Sequence, residues 1–250
     1  MRHLKPLKTK KGRDESGLFI VEGEKFVQEI PTGYRVAQYV VAKRFADGND
    51  LTAFKNRAFC EIVKDSMFDS LADTVNPQGI LAVCAKINWT LADMTTPGGF
   101  ILLGEALNDP GNIGALIRAA AAAGASGIIL TEGSGDVYNP KVLRAAAGAA
   151  LRMPIVSGAD LTGTVETLKQ SGFKIYAAHL SGDVPYNVNL QTDFCLMVGN
   201  ESHGLTENAA SLADVLVRLP MAGGTESLNA SVAGSILLYE AVRQRVMSKV

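Results

Sequence analysis

From Phe100 to Leu219 the chain repeats one pattern, a short apolar run rich in β-branched residues followed by a segment of helical or turn character. Phe100-Ile101-Leu102-Leu103, Gly127 to Thr131, Met153 to Val156, Phe173 to Ala178, Phe194 to Val198 and Val215 to Leu219 are its predicted strands. Helices are predicted over Ile113–Ala123, Lys141–Ala150, Leu161–Ser171, Thr206–Leu212 and Ser227 to about Val246. Strands that are apolar throughout, with no polar alternation, need cover on both faces, which is the condition of a parallel sheet flanked by helices. Ligands of such sheets sit beyond the carboxyl ends of the strands.

The 250 residues suffice for two domains. Leu18 to Lys86 reads as a separate, smaller α/β unit. Its strands are Phe19-Ile20-Val21, Val36 to Val41, Cys60 to Val63 and Ile80 to Ala85, with helix-like stretches over Glu22–Ile30 and Asp65–Asp73. The turn-rich segment Ile87 to Gly99 separates the two, giving expected domains at 18–90 and 98–250. Ahead of them, Arg2, Lys5, Lys8, Lys10, Lys11 and Arg13 with no intervening acid predict a flexible cationic arm over residues 1–17. Such an arm suits phosphates, and a solvated, frayed terminus is the plainer alternative.

With 47% hydrophobic and 20% charged residues the composition is that of an ordinary folded protein. No apolar run approaches the roughly 18 residues of a membrane span, and the N-terminus lacks the apolar core of a secretory signal, so a cytoplasmic location is expected. Cys60, Cys84 and Cys195 are too scattered for a disulfide framework, and His3, His179 and His203 share no ligand spacing with them, so no metal is expected. A net charge of −1 does not by itself point to nucleic acid.

Three segments carry candidate chemistry. Asn108-Asp109-Pro110-Gly111-Asn112 is a tight turn, with Asn112 as expected N-cap, leading into an Ala-rich helix that ends at Gly124. Arg118 is the one cation on that helix and must reach a carboxylate, a phosphate or open water. Val198-Gly199-Asn200-Glu201-Ser202-His203-Gly204 follows a strand, and its two glycines permit close ligand approach while Glu201 faces the crevice. Leu219-Pro220-Met221 and Gly223-Gly224-Thr225-Glu226-Ser227-Leu228-Asn229 lead into the last helix, whose free N–H groups make a small-ligand cradle, with an N-cap the plainer alternative for Ser227 and Thr225. Leu228, Val232, Ile236 and Tyr239 share one helical stripe, which reads as packing.

In this order, NDPGNIGALIRAAAAAG, VGNESHGL and LPMAGGTESLNASVA resemble the three motifs of the SpoU (TrmH-like) family of the SPOUT methyltransferase class. The resemblance runs from about Phe100 to the C-terminus, and FIVEGEKFVQEI makes the leading region similar to the L30e-like substrate-binding domain that often precedes it. It implies an α/β fold whose C-terminal parallel sheet carries a deep trefoil knot, after a small L30e-like α/β domain. It implies S-adenosylmethionine as cofactor, contacted by Gly199, Leu219 and Leu228 with Glu201, Met221 and Ser227 nearby, and a homodimer with the site near the subunit interface. The implied reaction is methyl transfer to a ribose 2′-hydroxyl of RNA, ribosomal RNA of the large (23S-type) subunit ahead of transfer RNA. Arg118 would activate the hydroxyl, and Asn112, Glu201 and Asn229 would orient the reacting groups. An arginine, with a pKa above about 12, is a poor base, so stabilisation of the developing alkoxide or of a neighbouring phosphate is the favoured role. Ser202-His203 and Thr225 depart from the common pattern and leave His203 open. A non-catalytic RNA-binding or ribosome-assembly protein retaining the fold is the competing reading.

Overall fold

The computed structural model describes residues 2–247. Met1 and residues 248–250, the outermost positions of the expected arm and catalytic domain, lie outside the described residues, as do the side chains of Arg2 and His3. The chain forms two compact units, Met1–Ile87 with Tyr138–Arg152 and Asn88–Val137 with Met153–Val250.

In the first unit a 3-10 turn (Arg2–Lys8) precedes α1 (Lys10–Ser16), β1 (Leu18–Glu22), α2 (Glu24–Gln28) and β2 (Val36–Ala42). The short α3 (Lys43–Ala46) and α4 (Thr52–Arg57), β3 (Phe59–Val63), α5 (Asp65–Leu71) and β4 (Ile80–Ala85) follow. The sheet order is β1-β4-β2-β3, with β2 and β3 parallel and the other pairs antiparallel. The basic N-terminal run is not a free arm. Leu4 and Leu7 bury in one cluster with Val40, Phe68 and Leu81, Thr9 caps α1 by accepting from Gly12 N, and the Arg13 guanidinium, 3% exposed, donates to Leu7 O at 2.8 Å. Two leucines spaced to bury on one side turn a cationic segment into folded structure, which charge counting overlooks.

The second unit holds β5 (Phe100–Gly104), α6 (Pro110–Ala123) and β6 (Gly127–Thr131). Next along the chain, α7 (Pro140–Ala145) belongs to the first unit. Tyr138 lies against Phe19 with ring centroids 4.4 Å apart, and Arg144 pairs with Asp73 at 2.9 Å. Residues 138–152, expected within the catalytic domain, are thus held by partners far away in sequence. The helix expected over Lys141–Ala150 breaks after Ala145, where Ala147 and Gly148 take positive φ.

β7 (Ile155–Ala159), α8 (Leu161–Gln170), β8 (Lys174–Asp183), β9 (Phe194–Val198), α9 (Glu207–Leu212), β10 (Val215–Val217) and α10 (Ala230–Met247) complete the second unit. Its six strands are all parallel, in the order β10-β8-β9-β5-β6-β7. The strands without polar alternation, β5, β6 and β9, are buried at every residue. Ile101, Leu103, Ile129, Cys195 and Met197 form one core with Val165 and Leu168 of α8 and Ala209 of α9. On α10, Gly234 leaves no room for a Cβ against Leu116 of α6, so these two helices approach closely. No described helix is long and apolar enough to cross a membrane.

Two expectations at helix starts are corrected. Asp109, not Asn112, caps α6, its carboxylate accepting from Asn112 N, because Pro110 occupies the first helical position. Neither Thr225 nor Ser227 caps α10; Asn229 Oδ1 takes the N–H groups of Ser231 and Val232. The stripe expected to pack is also largely open within the chain, with Leu228, Val232, Ile236 and Tyr239 all exposed and Tyr239 51% so.

Candidate active site

A cavity of about 280 Å³ lies beyond the carboxyl ends of β8, β9 and β10. Gly199, Glu201, Leu219, Met221, Ser227 and Leu228, the six residues expected at the cofactor, all line it. Val198, Val217, Ala233 and Leu237 supply apolar wall.

The loop after β9 is closed on itself by backbone hydrogen bonds. Asn200 and Gly204 exchange backbone hydrogen bonds at 3.0 and 2.9 Å, and Gly204 takes φ +71°. A Cβ on Gly199 would be driven into the backbone of Gly204 and Leu205, so only glycine fits the neck. Asn200 Nδ2 donates to Ala106 O at 2.8 Å, tying this loop to the one after β5.

Glu201 carries the connection onward. Its carboxylate accepts from Asn108 N, Asp109 N and Asn112 Nδ2 at 3.3, 3.0 and 3.2 Å. Burial pushes its pKa up, but hydrogen bonds from its own backbone and from Asn112, Asp109 and Asn108 outweigh that, and the carboxyl titrates below its ordinary value. It is therefore ionised at neutral pH. Asn112 Oδ1 in turn accepts from Asn229 Nδ2 at 2.9 Å and from Ser231 Oγ at 3.2 Å. One hydrogen-bonded chain, Glu201–Asn112–Asn229, thus links all three candidate segments. Neither asparagine lines the cavity itself.

Arg118 stands apart. It lies on the exposed side of α6, makes no hydrogen bond or ion pair among the described residues, and does not line the cavity. Of the destinations open to it, the single chain provides water. His203 lines the cavity rim and its Nδ1 lies 3.4 Å from Asn200 Oδ1.

Two features escape a reading of the sequence. Glu105, 7% exposed at the end of β5, accepts from Thr206 N at 2.9 Å and Thr206 Oγ1 at 2.6 Å, pinning the far end of the Gly199–Leu205 loop. A lone carboxylate ending an apolar strand is a signal of the same kind as Arg118. Residues Ala178, His179 and Leu180 line the cavity because β10 pairs with Tyr176 and Ala177 and then next with Asp183, leaving the intervening stretch of β8 bulged. No local pattern announces that bulge, since it depends on the register of a strand more than 30 residues away.

The sheet, the cavity at its carboxyl edge and the three linked loops define a class, and the family comparisons agree with it. Residues 99–239 match the SpoU rRNA Methylase family and residues 1–82 match the MRM3-like substrate binding domain. The chain belongs to the SpoU rRNA methylase family. It is 34% identical over 237 residues to the Bacillus subtilis 23S rRNA (guanosine(2553)-2′-O)-methyltransferase RlmP, covering 94% of this chain and 92% of that one. The structure of the SpoU methyltransferase AviRb from Streptomyces viridochromogenes with AdoMet superposes with TM-score 0.87 at 26% identity, covering 98% and 97% of the two chains. An AdoMet-bound rRNA methyltransferase from Sinorhizobium meliloti gives 0.85 at 28% identity, covering 97% and 93%.

Proposed function

We propose that this protein methylates a ribose 2′-hydroxyl of large-subunit ribosomal RNA in the cytoplasm, using S-adenosylmethionine. The observation that carries the reading is the convergence of all six expected cofactor residues on one cavity joined to the Glu201–Asn112–Asn229 chain.

The residues present fit that cofactor. Leu219, Met221, Ser227 and Leu228 lie outside the described helices and strands, so their backbone groups edge a cavity whose wall mixes aliphatic side chains with the polar Asn200, Glu201, Ser202 and His203. Aliphatic walls suit a flat base, and the ionised Glu201 at the same cavity suits a cationic sulfur. When bound, the cofactor supplies an electrophilic methyl group on a sulfonium. The protein positions and polarises. Glu201, Asn112 and Asn229 fix the loops on which the reacting groups are held, and Arg118 stabilises the negative charge that grows on the 2′-oxygen or on the adjacent phosphate.

Arg118 does not line the cavity within one chain, which supports a homodimer in which the exposed face of α10 is covered by a second copy. An unpartnered stripe of Leu228, Val232, Ile236 and Tyr239 is what such an interface requires. Ile236→Lys is expected to raise the dimer dissociation constant at least about tenfold, equivalent to ~1.4 kcal/mol, as read by analytical ultracentrifugation. An unchanged sedimentation profile would remove this face from the interface. The same family reading implies that the C-terminal part of the sheet is threaded as a trefoil knot, a path that chain topology otherwise avoids.

The test of function is incubation with labelled cofactor and total RNA from cells lacking the gene. Label is expected in large-subunit ribosomal RNA, at a ribose. Label confined to transfer RNA would move the substrate, and RNA binding without incorporation would make the protein a non-catalytic module.

A further inference from the structure

Glu105 is a buried carboxylate that the chemistry above leaves unused. A carboxylate so placed is costly unless its oxygens are hydrogen-bonded, and both of them go to one residue. Oε2 accepts from Thr206 N at 2.9 Å and Oε1 from Thr206 Oγ1 at 2.6 Å. Thr206 is itself fixed. Its Oγ1 accepts from Ala209 N at 3.1 Å as the N-cap of α9, and Leu205 and Ala209 on either side of it belong to the core.

The loops after β5 and β9 hold each other in both directions. Glu105 of the first takes Thr206 of the second, and Ala106 O takes Asn200 Nδ2 at 2.8 Å. Glu201 of the second takes Asn108 N and Asp109 N of the first. Glu105 N also donates to Val198 O at 2.9 Å, where the second loop leaves its strand. Between these bonds Ala106 has φ +48°, a left-handed conformation that a Cβ disfavours, and its N–H donates to Thr131 Oγ1 at 3.0 Å. Such a residue persists only where its surroundings over-determine it. Loss of the Glu105 grip frees Ala106 to relax, and its carbonyl is the acceptor that holds Asn200.

We propose that Glu105 is a positioning residue for the cofactor. Through Thr206 it fixes the closing end of the loop after β9, and through that loop it sets where Gly199 and Glu201 stand in the cavity wall. Neither Glu105 nor Thr206 lines the cavity, so the loop alone carries their effect on a ligand bound there. The inference rests on the cofactor reading above.

The test uses the full chain and calorimetric titration with S-adenosylhomocysteine, which needs no turnover, beside the melting temperature. Glu105→Leu, close in volume and unable to accept, is expected to weaken binding about tenfold, the scale of a small misplacement at a site. Thr206→Val keeps the N–H and loses the hydroxyl, and is expected to weaken binding about threefold, one hydrogen bond's worth. In the double variant the two losses are expected to add to less than their sum, because both remove the same contact. Glu105→Gln is expected to recover most of the affinity, its amide oxygen accepting from Thr206 N and its amide nitrogen donating to the second lone pair of Thr206 Oγ1. Ile155→Ala lies on β7, separated from β9 by β5 and β6. It is expected to lower the melting temperature while leaving affinity at the wild-type value, which separates positioning from general loosening. Wild-type affinity in Thr206→Val and in folded Glu105→Leu would overturn the proposal, as would an equal loss in Ile155→Ala. Should Glu105→Leu not fold, wild-type affinity in Thr206→Val overturns it alone. Absence of binding by the wild type would instead defeat the cofactor reading.

Discussion

Arg118→Ala is expected to lower the rate of methyl transfer by about 10²–10³, the usual effect of removing one preorganised donor from a developing anion, while cofactor affinity stays within about twofold. The split follows from placement. Arg118 neither lines the cavity nor bonds to any residue that does, so the cofactor site loses nothing when the guanidinium goes. Its exposed position on α6 also makes the substitution harmless to folding, since alanine is the strongest helix former. Single-turnover rates with saturating cofactor, beside calorimetric titration of the cofactor, give the two numbers. Full activity in the variant would remove Arg118 from the mechanism, and equal loss of binding and rate would place it at the cofactor instead. Arg118→Lys is expected to recover little, because an ammonium lacks the planar fork that meets a phosphate with two parallel bonds.

Gly199→Ala is expected to abolish cofactor binding and to destabilise the protein by about 3 kcal/mol, the upper end of overpacking effects. The added methyl meets backbone of Gly204 and Leu205, which cannot swing aside as a side chain would. Relief requires the Asn200–Gly204 pair to open, and that pair holds the loop against Ala106 and presents Glu201 to Asn108, Asp109 and Asn112. One methyl group thereby disconnects the cofactor loop from the other two. Thermal unfolding and cofactor titration read the two effects. A wild-type melting temperature with wild-type affinity would show that the neck is looser than its geometry states. Gly223→Ala, in open space on the third loop, serves as the matched substitution that should leave folding unchanged.

The candidate site was legible in the sequence where its chemistry is local. Glycines at a strand end, a carboxylate between them and a polar cluster before a long helix need only their own neighbours to be recognised. The partner of Glu105 gives no local sign because Thr206 is 101 residues away, and the His179 bulge gives none because it exists only against β10. Arg118 stands out in the sequence as a cation among apolar neighbours. Of the three destinations the sequence leaves open to it, α6 gives it water.

The sequence by itself determined which segments are strands buried on both faces, since runs such as ILL, GIIL and CLMV have no polar side to show. It also singles out the three loops that the structure brings together through Glu201, Asn112 and Asn229. The tertiary structure alone decided that the basic N-terminus folds, that residues 138–152 join the first unit, that Asp109 and Asn229 are the caps, and that the α10 stripe is left uncovered. The physical reason is the same in each case. Strand character and turn chemistry are set by the preferences of adjacent residues, whereas burial, capping and ion pairing are settled between residues distant in sequence, as with Arg144 and Asp73 or Glu201 and Asn112.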